Sequence, residues 1–247
     1  MGFRARMDGH RAYQQHVAGN RLYDGRRFQE AQEKFNRALE LYQQAVDGGC
    51  TDVRVLMAYG VLLLKQRRFD QAHELMLKTE KMPGITSAEK KQLRINYAVC
   101  EWKRGRLDRA IELMEQAAQD GVNSMIYGSL GYMLIEKARQ TGDFSKAEAF
   151  NAQAYEYDDE DPVTLDNLGQ LALAQGKREE ALDYFRRAIQ QKPTQVDTLY
   201  FLAKLAHEDG EDEQARSYLE TALENPFTAL CTTTREQAQA LLEQLGR

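Results

Sequence analysis

The sequence predicts an all-α fold built from stacked antiparallel helix pairs. Three observations carry this prediction. Residues 162–193 hold two amphipathic stretches that meet at a Gly176 turn; Leu165, Leu168, Leu171 and Ala172 share one helical face, and Ala181, Phe185 and Ala188 share another. Similar spacing recurs along the chain, so that six copies can be laid end to end. Neither helix of such a pair can bury its apolar face alone, whereas stacked copies can.

Residues 1–11 are read as an N-terminal extension. The first copy, 12–45, carries Ala18-Gly19, Leu22, Phe28, Ala31, Phe35 and Ala38, and its second helix is expected to run on until Asp47-Gly48-Gly49 breaks it. The second copy, 53–86, holds Leu56, Tyr59-Gly60, Leu63, Phe69, Ala72 and Met76, with Thr79 where Ala is expected. Thr86 and Glu89 form a capping-box pattern that starts the next helix about one turn early. The third copy, 91–123, matches at Tyr97-Ala98, Gly105, Ala110, Met114 and Ala117, with Arg94 at an aromatic position. In the fourth, 124–161, the Gly142 turn arrives four residues late. That is close to one helical turn, so the apolar face keeps its direction. Asn151 stands there in an aromatic's place. The fifth copy, 162–195, starts with Asp161 as cap and Pro162 at the first helical position, where a missing N–H costs nothing. The sixth, 196–229, shows Leu199, Leu202-Ala203, Ala206, Gly210, Ala215, Leu219 and Ala222 before Pro226. After a Thr-rich joint, a last helix within 232–247 opens at Thr234–Gln237 and presents Ala238, Leu241, Leu242 and Leu245 on one face, with Gly246 as its stop. It reads as a cap over the final repeat.

The order Leu165, Leu168-Gly169, Ala172, Gly176, Ala181, Phe185, Ala188, Pro193 resembles the tetratricopeptide (TPR) repeat, whose period is about 34 residues. The resemblance covers nearly everything from residue 12 onward. It implies a right-handed α-α superhelix, the TPR solenoid, and a non-catalytic module that binds a partner protein.

Composition narrows the function classes. A hydrophobic share of 43% with only four prolines suits a folded core. A net charge of −5, mixed in sign along the chain, gives no basic face for nucleic acid. Three distant cysteines, Cys50, Cys100 and Cys231, fit a reducing compartment better than a disulfide framework, so a cytoplasmic location is expected. Cys50 follows Gly48-Gly49 and is read as an inert, surface thiol. The longest apolar run, Val55–Leu64, is too short to span a bilayer. The N-terminus lacks the apolar core of a signal peptide, although Arg4, Arg6 and Arg11 also suit a parent protein with a preceding membrane anchor. The four histidines have no metal-ligand spacing, and His16 and His207 are read as surface or groove residues. Asp158–Asp161 lacks the Gly and closing Glu of a calcium loop. No cofactor, metal or catalytic residue is predicted.

In the resembled family, the second, fifth, ninth, twelfth and thirteenth positions of each first helix line an inner groove. Carried over, these are Tyr13, His16, Asn20, Tyr23 and Asp24 in the first copy. The middle copies give Met57, Val61, Leu64, Ile95, Val99, Trp102, Met125, Tyr132 and Ile135, an unusually apolar set. The last two copies give mostly polar groups, including Asp166, Gln170 and Asp197. Met and aromatic residues are common where proteins meet, so the expected partner is an apolar or amphipathic peptide or helix. The competing reading is that these side chains pack on one another, or that the terminal segment folds over them. A chaperone-tail carboxylate clamp is not predicted, because Ala58 stands where the family places an Asn. Self-assembly into a homo-oligomeric scaffold, or service as a membrane-anchored assembly factor, is the alternative use of the same repeats.

Overall fold

A computed structural model describes residues 2–245. They form thirteen helices with no strand among the described residues: α1 Phe3–Asp24, α2 Phe28–Asp47, α3 Val53–Lys65, α4 Phe69–Glu80, α5 Ser87–Lys103, α6 Leu107–Ala118, α7 Ser124–Thr141, α8 Ser145–Tyr157, α9 Pro162–Ala174, α10 Arg178–Gln191, α11 Val196–Glu208, α12 Asp212–Leu223 and α13 Arg235–Gln244. The chain divides into two compact units, Met1–Asp120 and Gly121–Arg247. Gly246, expected to stop the last helix, lies outside the described residues.

In the first unit α1 pairs with α2, α3 with α4 and α5 with α6, while the first helices α1, α3 and α5 lie in sequence against one another. α1 starts at Phe3, so the N-terminal extension is continuous with the first repeat's helix. The small residues at the crossing points let the pairs approach. A Cβ built on Gly19 would fall 2.6 Å from the ring of Phe35, which is itself fully buried. Departures from the repeat pattern find local partners. Thr79 is buried, and its hydroxyl donates to the Leu75 carbonyl at 2.7 Å. Arg94 pairs with Glu80 at 3.7 Å. The capping box of α5 is made as the sequence reads it: Thr86 Oγ1 accepts from the Glu89 N–H, and the Glu89 carboxylate accepts from the Thr86 N–H. Two turns are made without glycine at the left-handed position: Arg26 and Arg67 adopt φ of +57° and +56°, the conformation that Gly105, Gly176 and Gly210 take in later repeats.

In the second unit the pairs are α7 with α8, α9 with α10 and α11 with α12, and α13 closes on α12. α7 spans 18 residues against 13 in α9, absorbing the insertion as extra helix up to Gly142. Asn151, in the usual aromatic's place, is fully buried. Its amide donates to the carbonyls of Ala147 and Gly131 at 2.8 and 3.3 Å, close against Gly131. Asp161 caps α9 by accepting from the Thr164 N–H at 2.8 Å. Ala238 and Leu241 of α13 are buried against Ala203, Ala206, Ala215 and Leu219, so this helix seals the apolar end of the last pair. No helix among the described residues is long and apolar enough to cross a membrane.

Candidate functional site

The expected groove positions lie on first helices, and the two units present two different faces. In the first unit, α3 and α5 carry Met57, Val61, Leu64, Ile95, Val99 and Trp102. Their surroundings sort them. Leu64, Ile95 and Val99 are buried, at 6%, 1% and 4% exposure. They pack in the core, so the sequence overestimates how much apolar surface this face shows. Val61 is 40% exposed, and Met57 and Trp102 are half-buried. The Lys103 ammonium lies over the Trp102 ring, 3.7 Å from its centre, so a cation covers one face of the indole.

The first-copy end of this face is polar. Lys65 Nζ donates to Asn20 at 3.1 Å and sits over the rings of Tyr23 and Phe35 at 4.0 and 4.4 Å. Burial lowers the Lys65 pKa. His16, read from sequence as a surface or groove residue, is instead buried, with Nδ1 at 3.4 Å from the Tyr42 hydroxyl. Desolvation first, and Lys65 second, push its pKa down to about 4. Cys50 is likewise buried rather than superficial, and burial raises its thiol pKa. A buried carboxylate, Glu101, binds His73 Nδ1 and Arg104 at 2.8 Å each; this cluster ties α4 to α5. No group of three or more His, Cys, Asp or Glu side chains among the described residues is placed to hold a metal.

In the second unit Met125 is 44% exposed, Tyr132 is half-buried and Ile135 is fully buried. Burial, helped by Glu136, raises the Tyr132 phenol to about 12. The polar positions of α9 and α11 are the surprise. Asp166, Gln170 and Asp197 are all buried, and the segment joining α12 to α13 bonds to Gln170 and Asp197. The N–H groups of Thr232 and Thr233 donate to the two carboxylate oxygens of Asp197 at 3.0 and 2.7 Å. Gln170 Nε2 donates to Thr232 Oγ1 at 3.2 Å and to Asp166 at 2.7 Å, and Thr198 Oγ1 donates to Asp166 at 2.7 Å. Both carboxyls are held above the usual range, chiefly by desolvation, with Asp197 adding repulsion at Asp166. Sequence periodicity carries no sign of this contact.

Comparison with known proteins agrees with the geometry. Family models described as Tetratricopeptide repeat match residues 16–78, 57–123 and 172–228, which is most of the chain. The chain belongs to the tetratricopeptide repeat family. A TPR repeat-containing protein of Pseudomonas aeruginosa is 32% identical over 76 residues, 31% of this chain. That stretch spans only 12% of the relative's length. Among solved structures, PilW, described as a widely conserved type IV pilus biogenesis factor, is 16% identical with a TM-score of 0.62, covering 94% of this chain and 98% of its own. MamA is 16% identical with a TM-score of 0.53, covering 75% of this chain and 94% of its own. Part of a TPR repeat-containing protein from Cytophaga hutchinsonii is 17% identical with a TM-score of 0.53, covering 84% of this chain and 78% of its own. At these identities the likeness concerns the fold. TPR proteins in general mediate protein–protein interaction.

Proposed function

We propose that this TPR protein is a non-catalytic interaction module whose first-helix face in the first unit grips an apolar or amphipathic peptide or helix of a partner protein. The observation that carries this reading is the placement of Val61, Met57 and Trp102. They reach the surface on two neighbouring first helices, while Leu64, Ile95 and Val99 beside them are buried. An apolar patch of this kind on an otherwise charged surface is favoured where a partner covers it. The polar, cation-bearing rim at Asn20, Lys65 and Lys103 would orient the ligand and fix its register. Met125 and Tyr132 give the second unit a smaller patch of the same character.

The test uses a photo-crosslinking side chain in place of Val61, with a second placed at Arg37 on α2 as control. The Val61 probe should capture a partner polypeptide from the native host, and the Arg37 probe should not. Changing Met57 and Trp102 together to Asp should abolish capture while leaving helical circular dichroism intact. Equal capture by both probes, or capture unaffected by the double change, would reject the assignment.

A further inference from the structure

The polar wall of α9 and α11 is built differently from the apolar patch and calls for its own explanation. Its centre is a carboxylate, Asp197, that is 8% exposed and accepts two successive backbone N–H groups. Beside it lies Gln170, fully buried, whose Nε2 reaches the strap and whose Oε1 has no hydrogen-bond partner. A buried acceptor left unmet costs free energy that a better-fitting donor would recover. The strap, residues 228–233, brings little apolar surface to the contact. Leu230 is 49% exposed, and Thr233 is the only buried residue of the segment. Its middle turns on itself, the Thr228 N–H donating to Cys231 Sγ at 3.3 Å.

The two ends of the strap are anchored independently of the wall. Phe227 packs against the cluster under α13, and the Arg235 guanidinium stacks over its ring at 5.0 Å and donates to the Asn225 carbonyl at 3.1 Å. Thr234 and Gln237 close a capping box on α13. Lifting the segment between these anchors would break its bonds to Gln170 and Asp197 and leave the contacts that seat α13 in place. Few apolar contacts and a handful of polar ones are what mark a region of low local stability.

We propose that residues 228–233 are a displaceable self-ligand: the wall of Asp166, Gln170 and Asp197 is a recognition site for extended peptide backbone, occupied in cis by the chain's own strap and opened when a partner's extended segment takes its place. The partner segment must present two successive N–H groups to Asp197 and a donor to Gln170 Oε1. A segment bearing Ser, Thr, Asn or a basic side chain between two unblocked amides has that chemistry. The carboxyl groups of Asp166 and Asp197 favour donors over acceptors, and Arg139 on α7 is a cation close enough to Asp166 to act on its charge. This inference rests on reading the chain as a peptide-binding module but uses none of the residues of the first unit's patch.

The probe is a synthetic peptide copying residues 227–235. A tethered strap competes at an effective concentration in the millimolar range, so the peptide should bind the intact chain weakly. Thr232→Pro with Thr233→Pro removes the backbone and hydroxyl donors to Asp197 and vacates the wall. Peptide binding to that variant should be at least about tenfold tighter by titration calorimetry, the suppression that a cis competitor imposes. Adding Asp197→Asn to the proline variant should remove the gain. Equal binding to the intact chain and the variant, or a gain that survives Asp197→Asn, overturns the proposal.

Amide hydrogen exchange on the unaltered chain decides the matter even where the prolines disturb folding. The Thr232 and Thr233 amides should exchange about a hundredfold faster than those of α11 and α13, as expected for sub-global opening. Exchange in step with α11 and α13 makes the strap a structural member and refutes its displacement. Crosslinking at Val61 reports only on the first unit, so failure there and failure here are separately visible.

Discussion

Replacing Gly169 with Ala tests how the helix pairs are locked together. An ideal Cβ at this position would lie 2.5, 2.7 and 2.9 Å from Cε1, Cδ1 and Cζ of Phe185. Phe185 is fully buried and stacks on Phe201 with ring centres 5.5 Å apart and planes 1° from parallel. Enclosed in a close-packed core and stacked on its neighbour, the ring has little room to shift, so the added methyl meets a stiff obstacle. Overpacking of a close-packed core costs about 1–3 kcal/mol, and the rigidity argues for the upper end. Alanine's better helix propensity returns about 1 kcal/mol, leaving a net loss of about 2 kcal/mol. Gly60 is the contrast. Its Cβ would meet the mobile Met76 methyl at 3.0 Å, so Gly60→Ala should change stability by less than about 0.5 kcal/mol. Gly19, with Phe35 at 2.6 Å, should behave like Gly169 inside the same unit as Gly60. The assay is urea unfolding followed by circular dichroism, with the slope checked for constancy. Shortening the obstacle supplies the decisive arm: Gly169→Ala with Phe185→Leu should cost about 1–2 kcal/mol less than the two changes summed. Additive losses, or a Gly169→Ala no worse than Gly60→Ala, would show that the close approach is not what positions α9 on α10.

Three further outcomes follow from charge and backbone geometry. His16 holds its proton only below about 4 when folded but near its ordinary value of 6.5 when unfolded. The unfolded chain therefore takes up a proton first, and stability present above about pH 6.5 is lost as pH falls toward 4. His16→Gln should remove about 2–3 kcal/mol of that pH dependence in urea midpoints taken across the same window. Asp166 and Asp197 act in the opposite sense, because burial raises both: their contribution is favourable in acid and lost as pH rises through the folded values. Asp166→Asn should therefore stabilise the second unit above neutral pH, with the gain vanishing near pH 4, as read by thermal melts at the two extremes. Gly176→Arg places a side chain at φ +76° and should cost about 1 kcal/mol in urea unfolding, whereas Arg67→Gly at φ +56° should be neutral or mildly stabilising.

The paired helices were legible because their cause is local. Leu165, Leu168 and Ala172 announce a helical face by spacing alone, and Asp161-Pro162 and Thr86–Glu89 announce helix starts by their own hydrogen-bonding chemistry. The turns at Arg26 and Arg67 were not legible in the same way, since a positive φ usually advertises itself through glycine and here arginine adopts it. The groove positions were only partly legible. The apolar stripe of a core helix is wider than one row of side chains. A residue at its margin falls into the core or onto the face according to how the next helix packs, and sequence offsets do not fix that. Leu64, Ile95, Val99 and Ile135 turned inward, while Val61 and Met125 did not.

The strap shows the deeper reason why sites are harder to read than folds. Its contact with Asp197 joins residues 35 and 36 positions apart through backbone N–H groups, which every residue but proline owns. Backbone donors carry no residue signature, and the Thr232 and Thr233 hydroxyls that also act on Asp197 lie in a joint without helical pattern, so the sequence showed Asp166, Gln170 and Asp197 as an open polar face. What the residues did encode was the acceptor. A carboxylate on the groove side of a repeat helix is expensive to bury unless donors arrive, and this chain supplies them from a threonine-rich joint that has no helical pattern of its own. The fold thus follows from apolar periodicity, while occupancy of the wall follows from unsatisfied acceptors. In a repeat protein those two kinds of information are carried by different residues, and a candidate site is best sought where the second kind is left incomplete, as it is at Gln170 Oε1.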